Sequence, residues 1–158
     1  DPNVVICLGD SFDDLDAAGS LAQDMRLLLL GMQAGRKWIW IEGNHDPGPI
    51  NLGGTHLAEI TIGTLTFRHI ATSQKSEVSG HFHPKHRLTG RARPAFLYDQ
   101  HRLVLPAYGA YTGGLSSDAP VLQALFGDGA VAVLTGHKAI AVPLTKTRQT
   151  RQLHDRSY

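Results

Sequence analysis

The sequence predicts an α/β fold in which polar side chains follow the ends of buried strands. Residues 4–8 (VVICL) and 38–41 (WIWI) are apolar runs without polar alternation, which is typical of strands buried on both faces. A helical pattern lies between these runs, from Ser20 to Gly35. Each run ends near a glycine, which Asp10 or Asn44 then follows. Because ligands bind at the carboxyl ends of strands in open α/β sheets, these ends are the candidate site.

Composition limits the class of protein. With 158 residues, one domain with a sizeable core is expected, and 42% hydrophobic against 18% charged residues is typical of a globular chain. The formal net charge of +1 gives no global argument for nucleic-acid binding. The single cysteine, Cys7, cannot form an internal disulfide and suits a reducing compartment. The aliphatic run 27–30 is too short to span a bilayer and no secretory signal is present, so we expect a cytoplasmic protein without membrane contact.

In the first third of the chain, residues 3–8 predict a buried strand. The helix of residues 20–35 is expected to begin with a capping box formed by Ser20 and Gln23. Its apolar residues fall on one face, which we expect to pack on the sheet: Leu21, Met25, Leu28, Leu29 and Met32. Residues 47–54, rich in glycine and proline, predict a loop.

The rest of the chain predicts short strands joined by turns. Strands are expected at 56–60, 65–70, 77–81, 94–99, 102–106, 131–134 and 139–144. Gly63 and Thr64 predict a hairpin turn, and residues 119–126 predict a short helix. Residues 108–115 form a glycine-rich loop that could cradle phosphate, although the Walker lysine is absent. Residues 145–158 are polar and basic, and we expect them to be mobile.

Three strand ends carry side chains suited to metal binding or acid–base chemistry. Asn44 offers a carbonyl oxygen, His45 can ligate a metal or move a proton near neutral pH, and Asp46 can orient the His45 imidazole from behind. In an extended segment His81 and His83 point to the same side, which suits two ligands of one metal cluster. For residues 44–46 the alternative is an ordinary Asx-rich turn. For His81 and His83 the alternative is a pair of exposed strand histidines.

Other polar residues add to this pattern. Asp10 is favoured as a metal ligand and Asp13 as a supporting carboxylate, against the alternative of a solvated acidic loop. Nine histidines in a chain with one thiol favour mixed nitrogen and oxygen coordination. A basic cluster that includes Lys85, Arg87 and Arg91 could hold phosphates, or could be a solvated edge strand.

In order along the chain, these motifs resemble the GDxxD, GNHD and GHxH motifs of the calcineurin-like metallophosphoesterases. The segments ICLGDSFDD, WIWIEGNHDPGP, FRH, SGHFHPKHR and LVLPAYGAYTGGL look like the bacterial ligase-associated DNA damage response endonucleases. The resemblance extends to about Leu144, and implies a metallophosphoesterase domain over residues 1–144. The fold it implies is an α/β sandwich of two packed mixed β-sheets flanked by helices.

The resemblance also implies a site with two divalent metal ions, commonly Mn²⁺, with Zn²⁺ or Fe²⁺ as alternatives. Asp10 would bridge the ions, one ion would be bound by Asn44, His69 and His81, and His83 would bind the other. His69 is preferred to His56 as the ligand between the second and third motifs. A metal-bound hydroxide would attack phosphorus directly, assisted by His45. The implied substrate is DNA or another phosphodiester, in a repair system with a DNA ligase and a helicase.

One motif of the family has no counterpart in this chain. The family opens with a D-x-H motif on its first strand, and Asp1, which Pro2 and Asn3 follow, does not fit it. We therefore expect the first strand and helix of the family to be absent from this chain, which would bind at most one metal ion tightly, hydrolyse diesters poorly and tend to associate. The alternatives are a phosphomonoesterase of the same superfamily and a non-catalytic, partner-binding domain.

Overall fold

The computed structural model of the protein describes residues 2–109 and 112–145, which form two β-sheets and two helices. The smaller sheet contains β1 (Val4–Cys7), β2 (Lys37–Ile41) and β3 (Thr55–Leu57), paired in that order. All three strands are parallel, because α1 (Gln23–Gln33) connects the first two and a long loop leads to the third. This parallel sheet differs from the mixed sheet that the resemblance implied.

The larger sheet contains eight strands and is mixed, as expected. Its strands are β4 (Glu59–Ile62), β5 (Leu65–Arg68), β6 (Glu77–Ser79), β7 (Lys85–His86), β8 (Arg93–Tyr98), β9 (Arg102–Val104), β10 (Val131–Leu134) and β11 (Ile140–Pro143). The order is β11-β10-β8-β9-β6-β5-β4, and β7 pairs with β8. Strands β5, β6 and β9 run parallel to one another. The second helix, α2 (Pro120–Leu125), precedes β10.

Each sheet has its own hydrophobic cluster. Beneath α2, the fully buried Leu122 packs with Leu97, Val104 and Leu134 of the larger sheet. In the smaller sheet, Trp40 packs with residues of the neighbouring loops, namely Ala18, Ile50 and Leu52. The tryptophan indole also donates a hydrogen bond of 2.8 Å to the Gly53 carbonyl, which fixes the loop before β3.

Local sequence patterns predicted most of these elements. The hairpin turn at residues 63 and 64, the β8–β9 and β10–β11 hairpins and α2 are confirmed. The prediction of one strand over residues 56–60 is wrong, because the chain leaves the smaller sheet after Leu57 and enters the larger one at Glu59. Ala58 alone therefore links the two sheets at this point.

The strand predicted at residues 3–8 is shorter and more exposed than expected. It is confined to Val4–Cys7, and Val4 keeps 40% of its surface exposed. Among the described residues β1 pairs only with β2, so it is an edge strand, and an edge strand is not enclosed as a central strand is.

Helix α1 also differs from its prediction. Ala22 occupies the N-cap position without a side-chain cap, because the Ser20 hydroxyl donates instead to the Asp16 carbonyl at 3.1 Å. No residue of the helix is buried, and the predicted packing face remains largely exposed, since Leu28 keeps 55% of its surface. Leu29 packs on the cluster around Trp40. Two hydrogen bonds also attach the helix to the loop before β3: Arg26 donates to the Asn51 carbonyl and Gln33 to the Leu52 carbonyl.

Two sequence-based expectations fall partly outside the described residues. The polar segment 145–158 continues beyond Thr145, and the glycine-rich loop 108–115 includes two residues that the structure does not describe. In the described part of the chain, neither helix is long and apolar enough to cross a membrane.

Candidate metal centre

Four side chains converge where the carboxyl ends of four strands meet. From the smaller sheet, Asp10 follows β1 and Asn44 follows β2; from the larger sheet, His69 follows β5 and His81 follows β6. The strands of each pair are neighbours and parallel, so their ends lie at the same edge. The centre is therefore built in equal parts from both sheets.

The Nε2 atom of His69 is the meeting point of these groups. It lies 3.0 Å from Asn44 Oδ1, 3.0 Å from His81 Nδ1 and 3.2 Å from Asp10 Oδ2. Ligand atoms of Asp10, His69 and His81 all lie within 4.8 Å of one another. Two ligands at right angles, each about 2.1 Å from one ion, are about 3.0 Å apart. The spacing thus fits a shared divalent ion.

The protonation of His69 supports the same interpretation. Its ring is buried, and Nδ1 lies 2.7 Å from the Leu8 carbonyl oxygen. A carbonyl only accepts hydrogen bonds, so Nδ1 carries a proton and Nε2 is the ring nitrogen that could bind a metal ion. The oxygens of Asp10 and Asn44 lie beside this Nε2 atom. One nitrogen and two oxygens at this spacing suit a divalent cation, so the residues present fit a bound metal ion.

The buried carboxylate of Asp46 connects the loops that carry the oxygen ligands. Its Oδ1 accepts hydrogen bonds from the backbone N–H groups of Gly43 (3.0 Å) and Asp10 (2.9 Å), and its Oδ2 from that of Ser11 (2.8 Å). Asp46 was predicted to orient the His45 imidazole from behind. The structure instead places it behind Asp10, because three N–H donors of the two loops enclose the carboxylate.

Two glycines allow the loops to approach this closely. A Cβ atom at Gly43 would lie 2.2 Å from the Asp10 backbone nitrogen, and one at Gly9 would lie 2.5 Å from His69 Nδ1. Gly9 also has a φ of +85°, which favours glycine. Both positions therefore require glycine for the centre to close.

The backbone is strained at three of the candidate ligands. In the described part of the chain four non-glycine residues have a positive φ, and they include Asp10 (49°), His81 (57°) and His83 (45°). This left-handed conformation costs roughly 1–2 kcal/mol per residue, and such strain clusters at functional sites. It also corrects the sequence analysis, because residues 81–83 are not extended and do not continue β6, which ends at Ser79.

Among the described residues, the group of ligand atoms close to one another comprises Asp10, His69 and His81, and His83 is not part of it. It lines a separate cleft of about 190 Å³ together with Lys85. Burial lowers the pKa values of both His81 and His83, and the neighbouring His69 lowers them further, while Asp10 acts in the opposite direction. Both rings are therefore held in the neutral form, which is the form that binds metals.

His45 is exposed and lies close to Asp10. Its backbone N–H donates to Asp10 Oδ1 at 2.9 Å, and its ring Nδ1 lies 3.2 Å from the Asp13 carbonyl oxygen. Asp13 thus supports the site through its backbone rather than through its carboxylate. The contact fixes the proton on Nδ1 and leaves the Nε2 atom of His45 free for a proton-transfer partner.

The predicted basic cluster is only partly near the centre. Lys85 lies beside His83, and its Nζ atom is 3.4 Å from the Thr112 carbonyl oxygen. Arg87 and Arg91 are exposed in the segment between β7 and β8. His56, the alternative to His69, stacks on Trp40 within the smaller sheet, so the structure places His69 and not His56 beside Asp10.

Two structural features were not predicted from the sequence. The Leu8 carbonyl, which fixes the His69 tautomer, carries no side-chain signal. Glu77 is almost fully buried and bonds to Arg102 and Thr72. A charged residue opening the short strand 77–79 was the available signal, because a buried carboxylate requires partners.

Comparison with known proteins gives the fold. No family model matches the chain, and no curated protein matches its sequence. The structure is similar to the crystal structure of Pseudomonas putida nuclease MPE, with a TM-score of 0.70 and 24% sequence identity. The match covers 89% of this chain and 70% of that chain. At this identity the likeness establishes a shared fold, while function depends on the site.

Proposed function

We propose that the protein is a metal-dependent phosphoesterase of the phosphodiesterase or nuclease type. The observation that carries the proposal is the convergence of Asp10, Asn44 and His81 on the Nε2 atom of His69. The fold shared with a nuclease supports it, as does the sequence resemblance to the calcineurin-like metallophosphoesterases. We assign this activity to a domain of residues 1–144.

These four residues would hold one divalent ion tightly, and a second ion, with only His83 and Asp10 as ligands, would be held weakly. A bound divalent ion supplies charge that polarises a phosphoryl oxygen and lowers the pKa of water. Asp46 keeps the Asp10 backbone in place through its hydrogen bonds to the two loops. The exposed His45 ring is positioned to stabilise developing charge or to deliver a proton to the leaving oxygen.

The more specific proposals rest on the sequence resemblance. We propose two Mn²⁺ ions, with Zn²⁺ or Fe²⁺ as alternatives, and DNA as the substrate. We further propose a cytoplasmic role in DNA repair, together with a DNA ligase and a helicase. The phosphate backbone would contact Lys85, Arg87 and Arg91, since basic side chains near such a site commonly position phosphates.

Calorimetric titration with Mn²⁺ tests the metal site. Asn44→Ala and His81→Ala should each remove the tight binding of one ion, because each deletes a ligand around His69. His101→Ala is a matched control that removes an exposed imidazole elsewhere. If either ligand variant binds Mn²⁺ as tightly as the unaltered protein, the assignment of the centre is wrong.

Parallel assays then identify the activity. Bis(4-nitrophenyl) phosphate reports diester hydrolysis, 4-nitrophenyl phosphate reports monoester hydrolysis, and plasmid DNA reports strand cleavage, each with Mn²⁺ and with chelator. We expect slow, Mn²⁺-dependent hydrolysis of the diester and slow cleavage of DNA, because the second ion would have only two protein ligands. Faster hydrolysis of the monoester would favour a phosphomonoesterase, and metal binding without any hydrolysis would favour a non-catalytic role.

A further inference from the structure

A second cleft opens directly beside the candidate metal centre. Its volume is about 320 Å³, and Asn44 and His69 form the wall that it shares with the centre. The second cleft is also lined by Glu42, Glu59, Arg68 and Ile70. Ligand clefts start at roughly 300 Å³, so the space suits one ring-sized part of a ligand whose phosphate lies at the metal centre.

The far wall of this cleft is held rigidly by buried charges. Arg68 donates to Thr72 Oγ1 (3.1 Å) and to Gln74 Oε1 (2.7 Å), and its Nη2 atom lies 3.0 Å from Glu59 Oε2. Behind it, the buried Glu77 accepts hydrogen bonds from the backbone and hydroxyl of Thr72. A wall fixed in this way is preorganised and needs no ordering when a ligand binds.

The charges of the cleft disfavour a phosphate group. The Arg68 guanidinium is already engaged by four partners, and the remaining charged side chains on the wall are the carboxylates of Glu42 and Glu59. The cleft lined by His83 instead contains Lys85. Phosphates are therefore expected on the Lys85 side, and an uncharged group with hydrogen-bond donors on the Glu59 side.

We propose that the cleft lined by Glu42 and Glu59 binds the amino-bearing nucleobase of a nucleotide whose phosphate lies at the metal centre. The two carboxylates accept hydrogen bonds from the exocyclic amino group, and Ile70, which keeps 45% of its surface exposed, contacts the face of the ring. This inference rests on the proposed function, and it adds the substrate group that the site recognises beyond the phosphodiester.

Equilibrium binding tests the proposal without requiring turnover. In the presence of Mn²⁺, calorimetry compares ribose 5-phosphate, adenosine 5′-monophosphate and inosine 5′-monophosphate. The three share the sugar phosphate, and inosine differs from adenosine by loss of the amino group. We expect adenosine 5′-monophosphate to bind about tenfold more tightly than ribose 5-phosphate and about fivefold more tightly than inosine 5′-monophosphate, as for hydrogen bonds to partly exposed carboxylates.

Variants locate the effect in the cleft. Glu42→Gln combined with Glu59→Gln should abolish the preference for adenosine and leave the affinity for ribose 5-phosphate unchanged within about twofold. Asp24→Asn, a matched loss of negative charge on α1, should change neither. Equal affinity for the two nucleotides in the unaltered protein would overturn the nucleobase site even if the variant failed to fold. Failure of ribose 5-phosphate to bind with Mn²⁺ would instead overturn the proposed function, and the nucleobase site with it.

Discussion

Replacement of Asp46 by asparagine is the sharpest test of how the centre is built. The carboxylate is 5% exposed and accepts three backbone hydrogen bonds from the two loops that supply Asp10 and Asn44. Asparagine has one oxygen, which can still accept from Gly43 and Asp10. Its amide NH₂ group then faces the backbone N–H of Ser11. The hydrogen bond from Ser11 is lost, and two donor groups point at each other.

The magnitude follows from these contacts. A hydrogen bond to a charged group contributes roughly 1.5–3 kcal/mol, and a neutral one about half of that. Loss of one charged bond and weakening of two others by half should lower the free energy of unfolding by about 3–6 kcal/mol. Because Asp10 is displaced, Mn²⁺ affinity should fall about 10–100-fold, as is typical when a group supporting a ligand is altered.

Urea unfolding with chelator measures the first effect, and Mn²⁺ calorimetry measures the second. Asp14→Asn is the matched control, because the exposed Asp14 carboxylate of the same loop accepts from the backbone N–H groups of Asp16 and Ala17. Its cost should be below about 1 kcal/mol, with metal affinity unchanged. If Asp46→Asn left stability and metal affinity intact but lowered kcat, the carboxylate would act on the reaction and our account of the loops would be refuted.

The remaining predictions concern the reaction, the substrate and pH. His45→Ala should lower kcat by about 10²–10⁴-fold with metal content unchanged. Steady-state kinetics and metal analysis of the same sample measure both quantities. Loss of metal with normal turnover per bound ion would contradict the prediction. Replacement of Lys85, Arg87 and Arg91 by alanine should flatten the salt dependence of DNA binding by about one unit of slope per lost phosphate contact, whereas an unchanged slope would leave them as solvated surface residues. The lowered pKa values of His81 and His83 mean that the unfolded chain takes up protons at a higher pH than the folded one. The free energy of unfolding of the metal-free protein should therefore fall as pH drops below 6.5, the ordinary histidine value, and less so in a variant with asparagine at both positions.

Elements with local signals were predictable from the sequence. The apolar run of β2 and the turn residues of three hairpins determine those strands within a few residues of chain. Features that depend on residues far away in the sequence were not predictable. The exposure of Val4 follows from the position of β1 at the sheet edge, and the change of sheet at Ala58 follows from pairing with β5.

In the candidate site, too, some features were predictable from the sequence and others were not. Residue type and position indicated Asp10, Asn44 and His81, and the family resemblance added His69; the fold brings these four residues together. The contacts that hold them in place were not predictable, because backbone groups supply them: the Leu8 carbonyl on His69 and the N–H groups around Asp46. The left-handed backbone at His81 and His83 likewise has no signal in an alternating His-x-His pattern.

The position of the centre between the two sheets affects how the domain comes apart. Two of its ligands belong to one sheet and two to the other, and Ala58 alone connects β3 to β4. An ion bound to all four would cross-link the sheets, so neither could open while the ion remained in place. Amide protons in both sheets would then exchange through a common, metal-dependent unfolding event rather than through independent local openings. Loss of the ion would remove this cross-link and leave contacts such as that of His69 with the Leu8 carbonyl to couple the sheets, so the bound ion would act as a kinetic barrier to unfolding.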